Sequence, residues 1–122
     1  HGQEDESYIR ELKIYTDKLI IKAFSIKTAE DIEKALQSPA DYILLDQGGG
    51  GTGKTFDWSL ILEIQRPFFL AGGIGTSNLG QAIREIHPYA VDLSSSVETE
   101  KRKDPMKIRQ VVDIVREIKI IN

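Results

Sequence analysis

Residues 42–61 read YILLDQGGGGTGKTFDWSLI, which joins a short aliphatic run, a glycine-rich loop and the beginning of a helical pattern. A short run of such residues that ends at turn-forming residues is typical of a buried β-strand. The order of strand, loop and helix recurs twice towards the C-terminus, over residues 67–86 and 89–118. Because strands joined by helical crossovers run parallel, this repetition predicts an α/β fold with a parallel sheet.

A leading helix and four strand–helix units account for the chain. We predict helices over residues 5–15, 28–36, 57–64, 77–86 and 104–118, and strands over residues 19–24, 42–46, 67–73 and 89–95. In the first helix, Ile9, Leu12 and Ile14 are expected near one apolar face. Residues 1–122 contain no linker, so we expect a single unit, built either as an open doubly wound sheet or as part of a (β/α)8 barrel.

The composition excludes several classes of protein. The 122 residues are 40% hydrophobic and 29% charged, with a formal net charge of -3, which is typical of one globular domain. A mildly acidic chain without a basic stripe is unsuited to nucleic acid, and no apolar run approaches the ~20 residues that span a bilayer. The lack of cysteine excludes disulfides and thiolate zinc sites and fits a cytoplasmic protein. We expect neither a metal nor an organic cofactor.

Residues 48–55 match the P-loop pattern G-x-x-x-x-G-K-T of nucleotide-binding proteins. In a working P-loop the helix begins at the Gly-Lys-Thr itself, so that its first N–H groups face the phosphate. Here Asp57 or Ser59 is the better N-cap, which starts the helix two to four residues late, and Pro67 ends it early. These features weigh against ATP binding, which stays a weaker alternative, and favour a lid or substrate loop.

Small residues end the last two predicted strands. Gly72 and Gly73 end the third strand, and Ser94 and Ser95 end the fourth. Parallel α/β proteins hold their ligands at this edge of the sheet. Small residues there let backbone N–H groups approach phosphate oxygens, and hydroxyls add further donors. The four residues therefore predict a site for a phosphate monoester.

Two carboxylates end predicted strands at the same edge. Asp46 closes the run YILLD, and Asp92 closes AVD. Position alone leaves two interpretations of each carboxylate. In the first, it caps a loop or helix or makes a structural hydrogen bond; in the second, it faces the ligand. A carboxyl that donates a proton near neutral pH must remain protonated, which apolar surroundings favour.

The sequence resembles the phosphoribosylanthranilate isomerase family along most of its length. The matching strings, in order, are YILLDQ, GGTGKTFDWSLI, PFFLAGGI, SNLGQAI and HPYAVDLSSSVE. The resemblance implies a (β/α)8 barrel, of which this chain would be the C-terminal half, strands five to eight, with the helix after strand four leading in. His1 and Gly2 are similar to the end of strand four in that family, which disfavours an expression tag. A complete barrel typically takes ~250 residues.

The resemblance implies a reaction and roles for two carboxylates. The family catalyses an Amadori rearrangement in tryptophan biosynthesis, from N-(5-phosphoribosyl)anthranilate to 1-(2-carboxyphenylamino)-1-deoxyribulose 5-phosphate. Asp46 would be the general acid that opens the sugar ring, and Asp92 would contact the sugar or the amine. The family usually has glycine where this sequence has Ser96, which raises the question whether a positive φ or a close phosphate contact is needed there.

The family's general base and anthranilate-binding group are expected elsewhere. The base is a cysteine at the end of strand one, and an arginine of the amino-terminal half binds the anthranilate carboxylate; neither motif is present here. We therefore expect the chain alone to be inactive, and to join either a missing N-terminal half-barrel or a second copy through its open edges. A non-catalytic half-barrel that binds phosphoribosyl groups is the alternative.

Overall fold

The computed structural model describes residues 2–46, 58–61 and 64–121. Its elements in chain order are α1 Glu6–Tyr15, β1 Ile21–Ser25, α2 Ala29–Leu36, β2 Tyr42–Asp46, a 3-10 helix Trp58–Ile61, β3 Phe68–Ala71, α3 Leu79–Ile86, β4 Ala90–Asp92, a 3-10 helix Ser95–Val97, β5 Glu98–Thr99, β6 Arg102–Lys103 and α4 Pro105–Ile121. Within these ranges, no helix combines the length and the apolar character needed to cross a membrane.

Strands β1 to β4 form one parallel sheet in which each strand lies beside its neighbour in sequence, in the order β1-β2-β3-β4. The predicted α/β fold with a parallel sheet is confirmed. A doubly wound sheet reverses its strand order at a switch point, and the described strands show no such reversal. The strand order therefore favours the barrel type of winding over the doubly wound alternative.

Helices cover one face of this sheet and form the core with it. Residues that are paired in register share a face. The buried strand residues of the covered face are Ile43, Leu45, Phe68 and Leu70, and they cluster with the helix residues Ile32, Ala35, Leu79, Ala82 and Val111. This packing holds the carboxyl ends of the strands in place.

The opposite face, here called the open face, is apolar but only half-buried. Its middle row, paired in register, consists of Ala23, Leu44, Phe69 and Ala90. The rings of Tyr42, Phe69 and Tyr89 pack together with centroid distances between 5.5 and 5.9 Å. An apolar face of this kind is suited to burial against another surface.

Side-chain caps fix where two of the helices begin. At α2, the Thr28 hydroxyl accepts a hydrogen bond from the Asp31 N–H, and the Asp31 carboxylate accepts one from the Thr28 N–H, at 3.4 and 3.0 Å. This is the capping box that the sequence pattern indicates. Hydrogen bonds from the backbone N–H groups of Lys27 and Thr28 lower the pKa of Asp31. At α4, Asp104 accepts a hydrogen bond from the N–H of Met106 at 2.9 Å.

The guanidinium of Arg66 closes the other end of α2. Its terminal nitrogens donate hydrogen bonds to four carbonyl oxygens, those of Ala35 at 3.4 Å, Leu36 at 3.1 Å, Ser38 at 2.9 Å and Ala40. Arg66 lies two residues before β3, so its side chain ties the end of α2 to the start of that strand.

The structure corrects parts of the predicted elements. Where an α-helix is predicted over residues 57–64, the described residues contain a 3-10 helix at Trp58–Ile61. In α1, Ile9 is buried but Ile14 is 80% exposed, because a residue five positions along lies about 140° around a helix. Strand β3 ends at Ala71 rather than at residue 73.

Candidate active site

The four parallel strands end together, and their last paired residues form one row across the sheet. Ser25 is paired with Asp46, Asp46 with Ala71, and Ala71 with Asp92. Neighbouring strands lie about 4.8 Å apart, which separates the Cα atoms of Asp46 and Asp92 by about 10 Å. Asp46 is half-buried and Asp92 is exposed. Both candidate carboxylates therefore lie at one edge and on one face of the sheet.

A cleft of about 110 Å³ lies at this edge and is lined by the ends of β2, β3 and β4. The lining residues are Asp46, Ala71, Gly72, Gly73, Ile74, Asp92, Leu93, Ser94, Ser95 and Ser96. All six residues that the sequence proposes for acid, substrate and phosphate contacts are among them. The structure brings these residues together, and their chemical roles stay predictions.

The loop after β3 turns through two left-handed residues. Gly72 and Gly73 have φ values of 88° and 68°, where a β-carbon costs roughly 1–2 kcal/mol per residue. This conformation takes the chain out of the β region, which is why β3 ends at Ala71. Successive N–H groups in such turns can form concave anion-binding sites. The backbone here is therefore suited to a phosphate.

The side chain of Asn78 spans this loop. Its Oδ1 accepts a hydrogen bond from the N–H of Gly75, and its Nδ2 donates one to the carbonyl oxygen of Gly73, both at 2.9 Å. No pattern in the sequence singles out Asn78, which falls within the first turn of the helix predicted over residues 77–86.

The loop after β4 is held by the hairpin of β5 and β6. Lys103 Nζ donates hydrogen bonds to the backbone oxygen and the hydroxyl of Ser94, at 3.2 and 3.4 Å, and to the carboxylate of Glu98 at 2.8 Å. Ser94 and Ser95 are themselves exposed. Lys103 is thus a second contact to the candidate site that sequence analysis does not reveal, because it depends on how the hairpin folds back.

The two loops touch at Gly75 and Ser96. A β-carbon at position 75 would lie 3.1 Å from Ser96 Cβ, so glycine at 75 leaves room for serine at 96. The Ser96 hydroxyl is buried and has no hydrogen-bond partner within the described part of the chain. The non-glycine residues with positive φ in that part are His87, Glu100 and Lys101. Ser96 is not among them, so the backbone at this position does not adopt the positive φ that would have required the family's glycine.

Carboxyl groups with a lowered pKa lie outside the cleft. The hydrogen bond from Lys22 Nζ, at 2.8 Å, is the main reason that the pKa of Glu4 falls to about 2. The Thr99 hydroxyl is the main cause of the lowered pKa of Asp104. The described ranges contain no cluster of three His, Cys, Asp or Glu side chains that could hold a metal ion.

The P-loop match at residues 48–55 and the candidate N-cap Asp57 lie outside the described residues. The other candidate N-cap, Ser59, lies within the 3-10 helix Trp58–Ile61 rather than before a helix. Ser59 is therefore not the residue that precedes this 3-10 helix.

Comparison with known proteins gives a consistent result. Residues 1–114 match the family model for N-(5′-phosphoribosyl)anthranilate (PRA) isomerase. The isomerase of that name from Endomicrobium trichonymphae is 44% identical over 122 residues, which cover 97% of this chain and 60% of that protein. The solved isomerase from Thermotoga maritima superposes with a TM-score of 0.79 at 37% identity, over 96% of this chain and 60% of its own.

A further solved structure of the isomerase holds reduced 1-(o-carboxyphenylamino)-1-deoxyribulose 5-phosphate; it superposes with a TM-score of 0.78 at 35% identity, over 96% of this chain and 57% of its own. The chain thus spans about 60% of the length of the relatives that it matches. On the family match and these similarities, the chain belongs to the N-(5′-phosphoribosyl)anthranilate isomerase family.

Proposed function

We propose that this chain supplies the general-acid and phosphate-binding half of an N-(5′-phosphoribosyl)anthranilate isomerase active site. The observation that supports this most strongly is the convergence of Asp46, Asp92 and the two small-residue loops on one cleft. The substrate of that reaction carries a phosphate at one end of a ribose and an aromatic amine at the other. It needs both an anion site and a proton donor, and the cleft offers candidates for each.

In this proposal the substrate phosphate binds between the loops after β3 and β4. The backbone N–H groups of Gly72 and Gly73 donate to its oxygens, and the exposed hydroxyls of Ser94 and Ser95 add donors. Fixing the phosphate places the sugar over the row that contains Asp46, which lowers the entropic cost of the reaction.

Asp46 donates a proton to the ring oxygen of the ribose as the C1–O bond breaks. The lone pair of the anthranilate nitrogen forms the C1=N bond of a Schiff base, and the ring oxygen becomes a hydroxyl. A base then removes the C2 proton, and the electrons of that C–H bond form C1=C2 while the C=N electrons return to nitrogen. Tautomerisation gives the C2 ketone, so the product is an isomer and no oxidant is consumed. Asp92 hydrogen-bonds the sugar or the amine.

In this proposal the base and the anthranilate-binding group come from an N-terminal half-barrel, as in the family, because residues 1–122 contain no cysteine that could act as the base. The described part of the chain has β1 and β4 as the edges of its parallel sheet. Large apolar side chains are exposed near both edge strands. They are Ile14, Tyr15, Leu19 and Ile21 near β1, and Tyr89, Met106, Ile108 and Val112 near β4 and α4. A C-terminal half-barrel that pairs with an N-terminal half-barrel, or with a second copy, would bury these surfaces. We place this assembly in the cytoplasm.

Turnover by a reconstituted pair tests the proposal. The chain is co-expressed with the amino-terminal part of the Endomicrobium trichonymphae isomerase that it does not match, and isomerisation is compared with that of the chain alone. We expect turnover from the pair and none from the chain alone. In the pair, Asp46→Asn should lower kcat by ~10²–10⁴-fold, the usual contribution of general acid catalysis. The control Asp17→Asn removes an exposed carboxylate between α1 and β1 and should change nothing.

Two results would contradict the proposal. Turnover by the chain alone at the rate of the pair would show that no external base is required. A pair that assembles and binds the phosphorylated product without turnover would support the non-catalytic phosphate-binding alternative instead.

A further inference from the structure

One side chain, that of Asn78, forms two hydrogen bonds with the loop between β3 and α3. The amide of Asn78 reaches back to Gly75 N–H and Gly73 carbonyl oxygen, both at 2.9 Å. The N–H of Leu79 also donates to the Gly75 carbonyl oxygen at 2.8 Å. Residues 73–75 are therefore tied to the start of α3 through both side chain and backbone.

These bonds set the direction of the peptide group between Gly73 and Ile74. In a trans peptide the C=O and N–H bonds point in opposite directions. With the Gly73 oxygen held towards Asn78, the N–H of Ile74 points away from Asn78. Ile74 lines the cleft, and its N–H has no acceptor within the described part of the chain. Among the described residues, nothing therefore competes with a ligand for this N–H.

An ordinary capping role does not account for this arrangement. Asn78 occupies the N-cap position of α3, yet its side chain makes no capping hydrogen bond to the helix. Its half-buried amide instead forms two hydrogen bonds with the loop, one accepted by Oδ1 and one donated by Nδ2.

We infer that Asn78 is a positioning residue for the substrate phosphate, which holds the Gly73–Ile74 peptide so that its N–H faces the bound anion. This inference rests on the proposed function and assigns the phosphate site a residue that does not touch the ligand. Removing the amide leaves the peptide free to rotate, so it should weaken phosphate binding while leaving the remainder of the ligand site intact.

The test uses the reconstituted pair with Asn78→Ala and with Asn78→Leu, which keeps a similar volume without hydrogen bonds. The ligands are reduced 1-(o-carboxyphenylamino)-1-deoxyribulose 5-phosphate, the same compound without its phosphate, and inorganic phosphate. We expect both variants to bind the phosphorylated compound and inorganic phosphate about tenfold more weakly. Their affinity for the compound without phosphate should stay within about twofold of the wild-type affinity. Such binding would also show that the site of the variant is folded. In turnover, KM should rise more than kcat falls.

The matched control is Gln81→Ala, which removes an exposed amide of α3 that hydrogen-bonds Glu85 at 3.1 Å. It should match the wild-type chain with all three ligands. Equal losses for the compounds with and without phosphate, or unchanged phosphate affinity, would overturn the inference. If the wild-type pair itself binds the two compounds equally well, the proposed phosphate site fails, whatever Asn78 does.

Discussion

Arg66→Met removes the guanidinium that caps α2 and joins it to β3, while keeping an unbranched side chain of similar length. Four carbonyl oxygens, at Ala35, Leu36, Ser38 and Ala40, lose a charged donor. A hydrogen bond to a charged group contributes ~1.5–3 kcal/mol to stability. The four bonds share one half-buried group and do not add. Two bonds at the lower value give about 3 kcal/mol as the expected loss in the free energy of unfolding.

Urea unfolding followed by the fluorescence of Trp58 measures this loss. Trp58 is the single tryptophan of the chain and packs against the core. With a urea m value of about 1.5 kcal/mol/M for a chain of this size, the midpoint should fall by about 2 M. Arg66→Lys keeps the charge but not the planar fork, so we expect roughly half of the loss.

The matched control is Arg10→Met, which removes an exposed arginine paired with Glu6 at 3.3 Å. Exposed pairs one helical turn apart contribute about 0.3–0.5 kcal/mol. If Arg66→Met and Arg10→Met lower the midpoint by the same amount, the assigned role of the guanidinium in holding α2 is wrong.

Two further predictions concern packing and pH. Gly75→Ala should destabilise the chain by about 1 kcal/mol, because its β-carbon would lie 3.1 Å from Ser96 Cβ. Ser96→Gly in the same chain should restore most of that loss in urea unfolding, and a double variant no better than Gly75→Ala would contradict the contact. The pKa of Glu4 is lowered from 4.5 to about 2 by Lys22, so the stability from this pair is complete above pH 4.5 and is lost as the pH falls towards 2. Glu4→Gln should therefore flatten the acid side of a stability profile, and an unchanged profile would count against the assignment.

The sequence predicts those elements whose signals are local. The run YILLD predicts β2 with the bounds that the structure has, since five residues with strand character are followed by Gln47 and a run of glycines. The capping box of α2 likewise depends on two residues three positions apart. By contrast, the hairpin of β5 and β6 turns at Glu100 and Lys101, which have φ values of 53° and 65°. Such turns usually contain Asn or Gly, so this sequence gives no hairpin signal.

The candidate site likewise contains some residues that local sequence signals predict and others that they do not. Parallel strands end at one edge, so residues at their ends, such as Asp46 and Asp92, are predictable as neighbours from their position in the sequence. Asn78 and Lys103 reach the site through the conformation of loops, and no pattern of residue types encodes that. The start of the helix predicted at residue 57 also depends on tertiary packing, since short helices are marginal by themselves.

The position of a bound product analogue would show whether Asp46 and the loops after β3 and β4 contact the substrate as proposed. A crystal structure of the reconstituted pair with reduced 1-(o-carboxyphenylamino)-1-deoxyribulose 5-phosphate would locate its phosphate and its sugar oxygens. We predict the phosphate against Gly72, Gly73, Ser94 and Ser95, with a carboxylate oxygen of Asp46 within about 2.6–3.2 Å of the oxygen that leaves the ring. A phosphate bound to residues 53–55 instead, or an Asp46 carboxylate out of reach of the sugar, would contradict the proposed roles of these residues.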